Sequence, residues 1–193
     1  MIKKICRRKL ETREITMVGL LFAVTIVLGA TGLGFLPVPP FKTTIMHIPV
    51  IIGGIVGGPI VGAFTGLLFG IFSIIQAINT PSPVSFIFMN PVVAVIPRIL
   101  IGIVSYYVYK LFKRKSEKFG IVIGIVAGSF TNTIGVLAMV YILYINAYAN
   151  ALHISYSTAV KTLLALVANG FLSAAMALVI SVPIIMVVKK IRK

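Results

Sequence analysis

The chain has 193 residues, 59% of them hydrophobic and only 11% charged. A soluble domain of that length has too little interior to bury so much apolar surface, and several stretches reach the ~20 apolar residues that span a bilayer, so composition excludes an ordinary soluble protein. The net charge of +15 invites a nucleic-acid reading, but the charge sits beside the apolar runs, and no folded soluble surface remains to present it.

The first fourteen residues are a basic head carrying Lys3, Lys4, Arg7, Arg8, Lys9 and Arg13. Such a cluster marks a cytoplasmic flank and attracts anionic headgroups. The head is long for a cleavable signal, and no clear cleavage site follows. Cys6 is the single cysteine, so a disulfide framework is excluded.

The first apolar run covers 15–36. Gly19, Ala23 and Ala30, with Val27 between, give it a small-residue face at i, i+4. That face packs inside the bundle or against another membrane protein, and composition does not choose. A Pro-rich stretch, "PVPPFKTT", leads to a short apolar segment over 45–58 that contains Pro49. Long runs follow at 60–78, 91–112, 119–145 and 157–188. Lys110, Lys113, Arg114, Lys115 and Lys118 lie between two of these runs, and Lys189, Lys190, Arg192 and Lys193 close the chain.

Basic clusters at both termini predict an even number of crossings. Five long runs are odd, so the short segment must cross as well, tilted or broken and shielded by neighbours. Six crossings also put the middle cluster on the cytoplasmic side. The expected fold is therefore an all-α integral membrane protein with six transmembrane helices, the second short or broken, and both termini cytoplasmic. Residues 1–14 and 189–193 are its basic flanks, and 15–188 its membrane domain. The outer loops are expected at 37–44, 79–90 and 146–156.

Gly62, Gly66 and Gly70 form one stripe, and Gly120, Gly124 and Gly128 another. Both read as close helix packing, with the alternative that a ligand approaches there. Within "NPVVAVIPRIL" stands Arg98. Counting from Pro91 at ~1.5 Å per residue puts it ~10 Å below the outer surface. An arginine at such depth is costly and should face an interior or water-filled site. Asn132 continues the second glycine stripe at i+4 and lies ~12 Å below the same surface, nearly level with Arg98. Thr131 and Thr133 flank it, and Asn169 lies somewhat deeper. Gln76 and Asn79 close the third span, and Asn90 sits above Arg98. His47 and Tyr141 can reach the same region.

Glu11, Glu14 and Glu117 are the only acids, and all lie near the expected cytoplasmic face. Arg98 either bonds carbonyls and amides, or takes an anion from outside in a bidentate fork. His47 and His153 have no partners at metal-ligand spacing, so neither a metal nor another cofactor is implied. There is no phosphate-binding GxxxxGK[ST] loop, no chain of acids and no pair of similar halves. Paired acids and a convincing Ser–His arrangement are also missing, which argues against an intramembrane enzyme. A binding site without an engine suggests a subunit. A self-sufficient secondary transporter is the competing class.

The stretches "HIPVIIGGIVGGPIVGAFTGLLFGI" and "FMNPVVAVIPRILIGIVSYYVYK", with six spans and basic ends over nearly the whole chain, resemble the substrate-binding S components of energy-coupling factor (ECF) vitamin transporters, pantothenate-type members most of all. The resemblance implies a vitamin pocket open to the outside. It also implies partnership with a membrane coupling protein and two cytoplasmic ATPases, which would carry the ATP hydrolysis. The coupling protein would dock on the AxxxA-like motif, here Gly19, Ala23 and Val27, where Val27 departs from the pattern. For pantothenate, Arg98 would hold the carboxylate, Asn132, Asn90 and Gln76 would bond polar groups, and Thr43 and His47 would close the lid. An S component for a different vitamin is the alternative within the family.

Overall fold

A computed structural model describes residues 11–38, 41–80 and 82–191. Cys6, the basic residues before position 11, Arg192 and Lys193 lie outside the described residues, as do the side chains of Lys42 and Thr43.

Among the described residues seven α-helices follow in order: α1 Thr12–Ala30, α2 Ile48–Ile52, α3 Pro59–Asn79, α4 Ser85–Met89, α5 Pro91–Phe112, α6 Glu117–Ala151 and α7 Tyr156–Ile191. Five of them, α1, α3, α5, α6 and α7, are long and apolar enough to cross a membrane. To this helical architecture the first connection adds an antiparallel hairpin, β1 Phe35–Val38 with β2 Phe41–Thr44. The first apolar run thus leaves its helix at Ala30, and its last residues pair as a strand instead.

The short second segment is broken. Five α-helical residues pass into a π-helical turn at Gly53–Gly57. At ~1.5 Å per residue its ten residues cover ~15 Å, half of a ~30 Å core. Gly58 then adopts φ 99° before α3 begins with Pro59. Only glycine takes that backbone without strain, and proline suits the first helical turn.

The packing fixes direction. Gly57 lies against Met17 and Val61 at one end of α1, while Gly29 lies against Phe72 at the other. Gln76 Nε2 also donates to the Gly29 carbonyl at 3.4 Å. α1 and α3 therefore run parallel, and the short segment returns between them. Gly62, Gly66 and Gly70 of α3 meet Gly102, Arg98 and Val95 of α5 in antiparallel order. Gly120, Gly124 and Gly135 of α6 meet Lys113, Ser105 and Pro97. Gly170 of α7 meets Thr133 of α6. Six segments thus alternate in direction. Both glycine stripes serve close helix contact, because a methyl group at Gly66 would overlap the Arg98 carbonyl.

The main apolar core wraps α2, whose Ile48, Pro49, Val50, Ile51 and Ile52 are all buried. A second core joins Ile87 of α4 and Val93 of α5 to Val140, Tyr148, Ala159 and Leu163 of the α6–α7 hairpin. That core corrects the expected loop at 146–156. Tyr148 and Ala149 are buried there, so α6 continues to Ala151 and leaves only a short turn. His153, with φ 54°, sits in that turn. α6 and α7 have 35 and 36 residues, ~50 Å or more each, longer than a bilayer core requires.

Candidate functional site

A cavity of about 820 Å³ opens where α1 ends. Its walls come from Gly29–Gly32, Thr44 and Met46, from Phe69, Ser73, Gln76 and Thr80 along α3, from Ser82, Ser85 and Phe88, and from Arg98 of α5. The size falls within the range of small-molecule pockets, which are mostly apolar with a few convergent polar groups.

Arg98 is the one cation among the described lining residues. It is 7% exposed. Its Nη1 donates to the Val93 carbonyl at 3.0 Å, while its Nε is buried without a hydrogen-bond partner. The guanidinium carbon lies 5.6 Å from the Phe69 ring centre and 5.5 Å from that of Phe88. Aromatic faces stabilise a cation at such distances but supply no hydrogen-bond acceptor. No acid answers the charge. Glu11 and Glu14 form a capping box at the opposite end of α1, and Glu117 pairs with Lys189 at 3.4 Å, at the far end of α6.

Several wall hydroxyls are oriented by the backbone. Thr31 Oγ1 donates to the Val27 carbonyl at 2.6 Å, and Thr80 Oγ1 to that of Gln76 at 2.7 Å. The Ser82 N–H donates to Ser85 Oγ at 2.8 Å. β2 is held from below, where Ser173 Oγ of α7 donates to the Thr44 carbonyl at 3.1 Å.

Of the residues expected at the site, Arg98 and Gln76 line this cavity. The others stand elsewhere. Asn79 is exposed at the end of α3. Asn90 caps α5, its Oδ1 accepting from the Val92 N–H at 2.9 Å, while its Nδ2 donates to the Tyr144 hydroxyl at 2.8 Å. His47 is fully buried, with Nε2 3.1 Å from Ser129 Oγ of α6. Asn132, half-buried on α6, keeps a buried Oδ1 without a hydrogen-bond partner and is not among the lining residues. Thr131 Oγ1 turns back to the Ala127 carbonyl. Asn169 is half-buried on α7, and Tyr141 is about half exposed. Thr43 lies on β2 opposite Leu36.

Phe69, Phe88, Ser73 and Ser85 are among the lining residues that sequence reasoning did not single out. The serines lay within reach, one turn or so from Gln76 and Asn90. The phenylalanines carried no signal in an apolar run. On α1, Gly19, Ala23 and Val27 all face away from the bundle. A methyl group added at Gly19 would meet nothing within 4 Å.

Sequence comparison extends this picture. A model of the family described as ECF transporter, substrate-specific component, matches residues 13–185. The pantothenic acid transporter PanT of Lactococcus lactis subsp. cremoris is 33% identical over 153 residues, covering 71% of this chain and 76% of that protein. The pantothenate transporter PanT of Leuconostoc mesenteroides subsp. mesenteroides is 34% identical over 123 residues, covering 61% of this chain and 57% of that protein.

Proposed function

We propose, from the premise that this chain belongs to the family of ECF transporter substrate-specific components, that it is the pantothenate-binding subunit of an ATP-driven importer. The observation that carries this reading is Arg98, a buried cation on a cavity wall with no acid to neutralise it. A single fork of donors suits a single carboxylate. Pantothenate brings one carboxylate, together with hydroxyls and an amide that need partners once desolvated. Gln76, Ser73 and the hydroxyls of Thr80 and Ser85 would supply them. Phe69, Phe88 and Met46 would pack its apolar centre. The names of the two relatives support the same vitamin.

In this reading six segments cross the membrane, the basic flanks lie in the cytoplasm, and the cavity faces outward. The chain performs no chemistry. Two ATPase subunits would supply energy through a membrane coupling protein seated on Gly19, Ala23 and Val27 of α1. The lack of covering contacts on that face supports this.

Equilibrium binding of labelled pantothenate to the purified chain tests the reading. Wild type should bind, and Arg98→Ala should bind roughly 30-fold less tightly or worse, since a buried charge then loses its partner. Equal affinity in a folded variant would overturn the clamp. Absence of binding by wild type, with another vitamin raising the unfolding temperature, would replace pantothenate.

A further inference from the structure

Helix α5 contains Pro97, directly before Arg98. In an α-helix the N–H of residue 97 would donate to the carbonyl of residue 93, but proline has no N–H to give. The Val93 carbonyl is therefore left without its helical donor, inside the bundle, where Val93 itself is fully buried. The Arg98 side chain takes that place, its Nη1 donating to the Val93 oxygen at 3.0 Å. The geometry is natural, because helical side chains lean toward the N-terminal turn. Proline also pushes the i−4 carbonyl off the helix axis, toward a side chain arriving from outside the ladder.

We propose that Pro97 is a positioning residue for ligand binding: by releasing the Val93 carbonyl it anchors one arm of the Arg98 guanidinium and leaves the rest of the fork for an incoming carboxylate. The inference rests on the reading of Arg98 as the carboxylate clamp. It accounts for the pairing of a bound Nη1 with a buried, unpartnered Nε in the same side chain. An arginine free to rotate would bring no such preference to the cavity. One held at Nη1 pays less ordering entropy when the ligand arrives.

Restoring the N–H tests this. Pro97→Ala and Pro97→Val both return a donor to the Val93 carbonyl. Two variants of different bulk separate the donor from the loss of proline packing against Gly135. Both should weaken labelled pantothenate binding by about 3- to 10-fold, the net worth of one hydrogen bond. Nitrogen NMR of arginine-labelled protein without ligand supplies a second readout. Wild type should give one guanidinium with slowed rotation, a signal missing in Arg98→Ala and averaged in both Pro97 variants. Wild-type affinity in both variants, or a guanidinium signal unchanged by them, would overturn the proposal. If wild type itself binds no pantothenate, the functional reading fails, and the guanidinium signal alone decides the role of Pro97.

Discussion

The Nδ2 of Asn90 donates to the Tyr144 hydroxyl at 2.8 Å, joining residues 54 positions apart. Asn90 ends α4 and caps α5, so this one bond ties both helices to α6. The Tyr144 ring also meets Phe86 of α4 edge-on at 5.9 Å. On its other side α4 presents Ser85 and Phe88 to the cavity. Tyr144 thus braces from behind the segment that forms part of the wall over Arg98.

Tyr144→Phe keeps the ring contact and deletes the bond. Pantothenate should then leave about 2- to 10-fold faster, with association little changed, as expected for one lost hydrogen bond. Asn90→Ala should do the same and also uncap α5. Because the two side chains share one bond, the double variant should fall short of the sum of the singles. Stopped-flow dissociation with excess unlabelled ligand reads this directly. Additive effects would show that the bond does not brace α4.

Gly66 and Gly19 should respond in opposite ways to the same change. A Cβ at Gly66 would overlap the Arg98 carbonyl across the α3–α5 contact, and backbone cannot move aside as a side chain can. Gly66→Ala should cost about 1–3 kcal/mol and lower the unfolding temperature. Gly19 has nothing within 4 Å. Gly19→Ala should be neutral or stabilise by up to about 1 kcal/mol through helix propensity. Thermal unfolding in detergent with a fluorescent reporter compares the two variants under one set of conditions.

Much of this architecture follows from periodicity and charge. The long apolar runs become helices because no other backbone satisfies its own hydrogen bonds in lipid, and the basic clusters at matching ends predict six alternating segments. The π-turn after Ile52 was not legible, since it depends on Gly54 fitting against the Gly102 backbone across a helix contact. The extra turns of α6 were missed because their apolar partners, Ile87 and Val93, are far away in sequence. At the site, depth counting puts Arg98 and Asn132 nearly level, yet depth says nothing of azimuth. Asn132 does not line the cavity. Asn90 followed by Pro91 is a helix-cap signature, and the cap is what Asn90 makes.

Bulk on the exposed face of α1 should separate binding from transport. Ala23→Leu adds volume where the fold leaves the side chain uncovered. The isolated chain should keep its unfolding temperature and its pantothenate affinity. Co-purification with the coupling protein should fall, because small residues permit the close approach of helices that a leucine blocks. Normal complex recovery from Ala23→Leu would place the docking surface elsewhere.

Charge selectivity gives the sharpest test of the cavity. The alcohol formed by reducing the pantothenate carboxyl group keeps the chain, hydroxyls and amide of the vitamin and puts a neutral hydroxymethyl group, with one oxygen in place of two, where the carboxylate was. In wild type it should bind roughly 10- to 100-fold more weakly, because a charge-assisted fork is exchanged for one neutral bond to a buried cation. In Arg98→Gln, whose amide is neutral, the two ligands should bind with affinities equal to within a few-fold. Added salt should have little effect on the wild-type preference, since a pair shielded from solvent is weakly screened. Competition of each ligand against labelled pantothenate measures all of these quantities in one format. A preference that survives in Arg98→Gln would assign carboxylate recognition to groups other than the guanidinium, and with it the role of the aromatic pair Phe69 and Phe88 that flanks the guanidinium in the cavity.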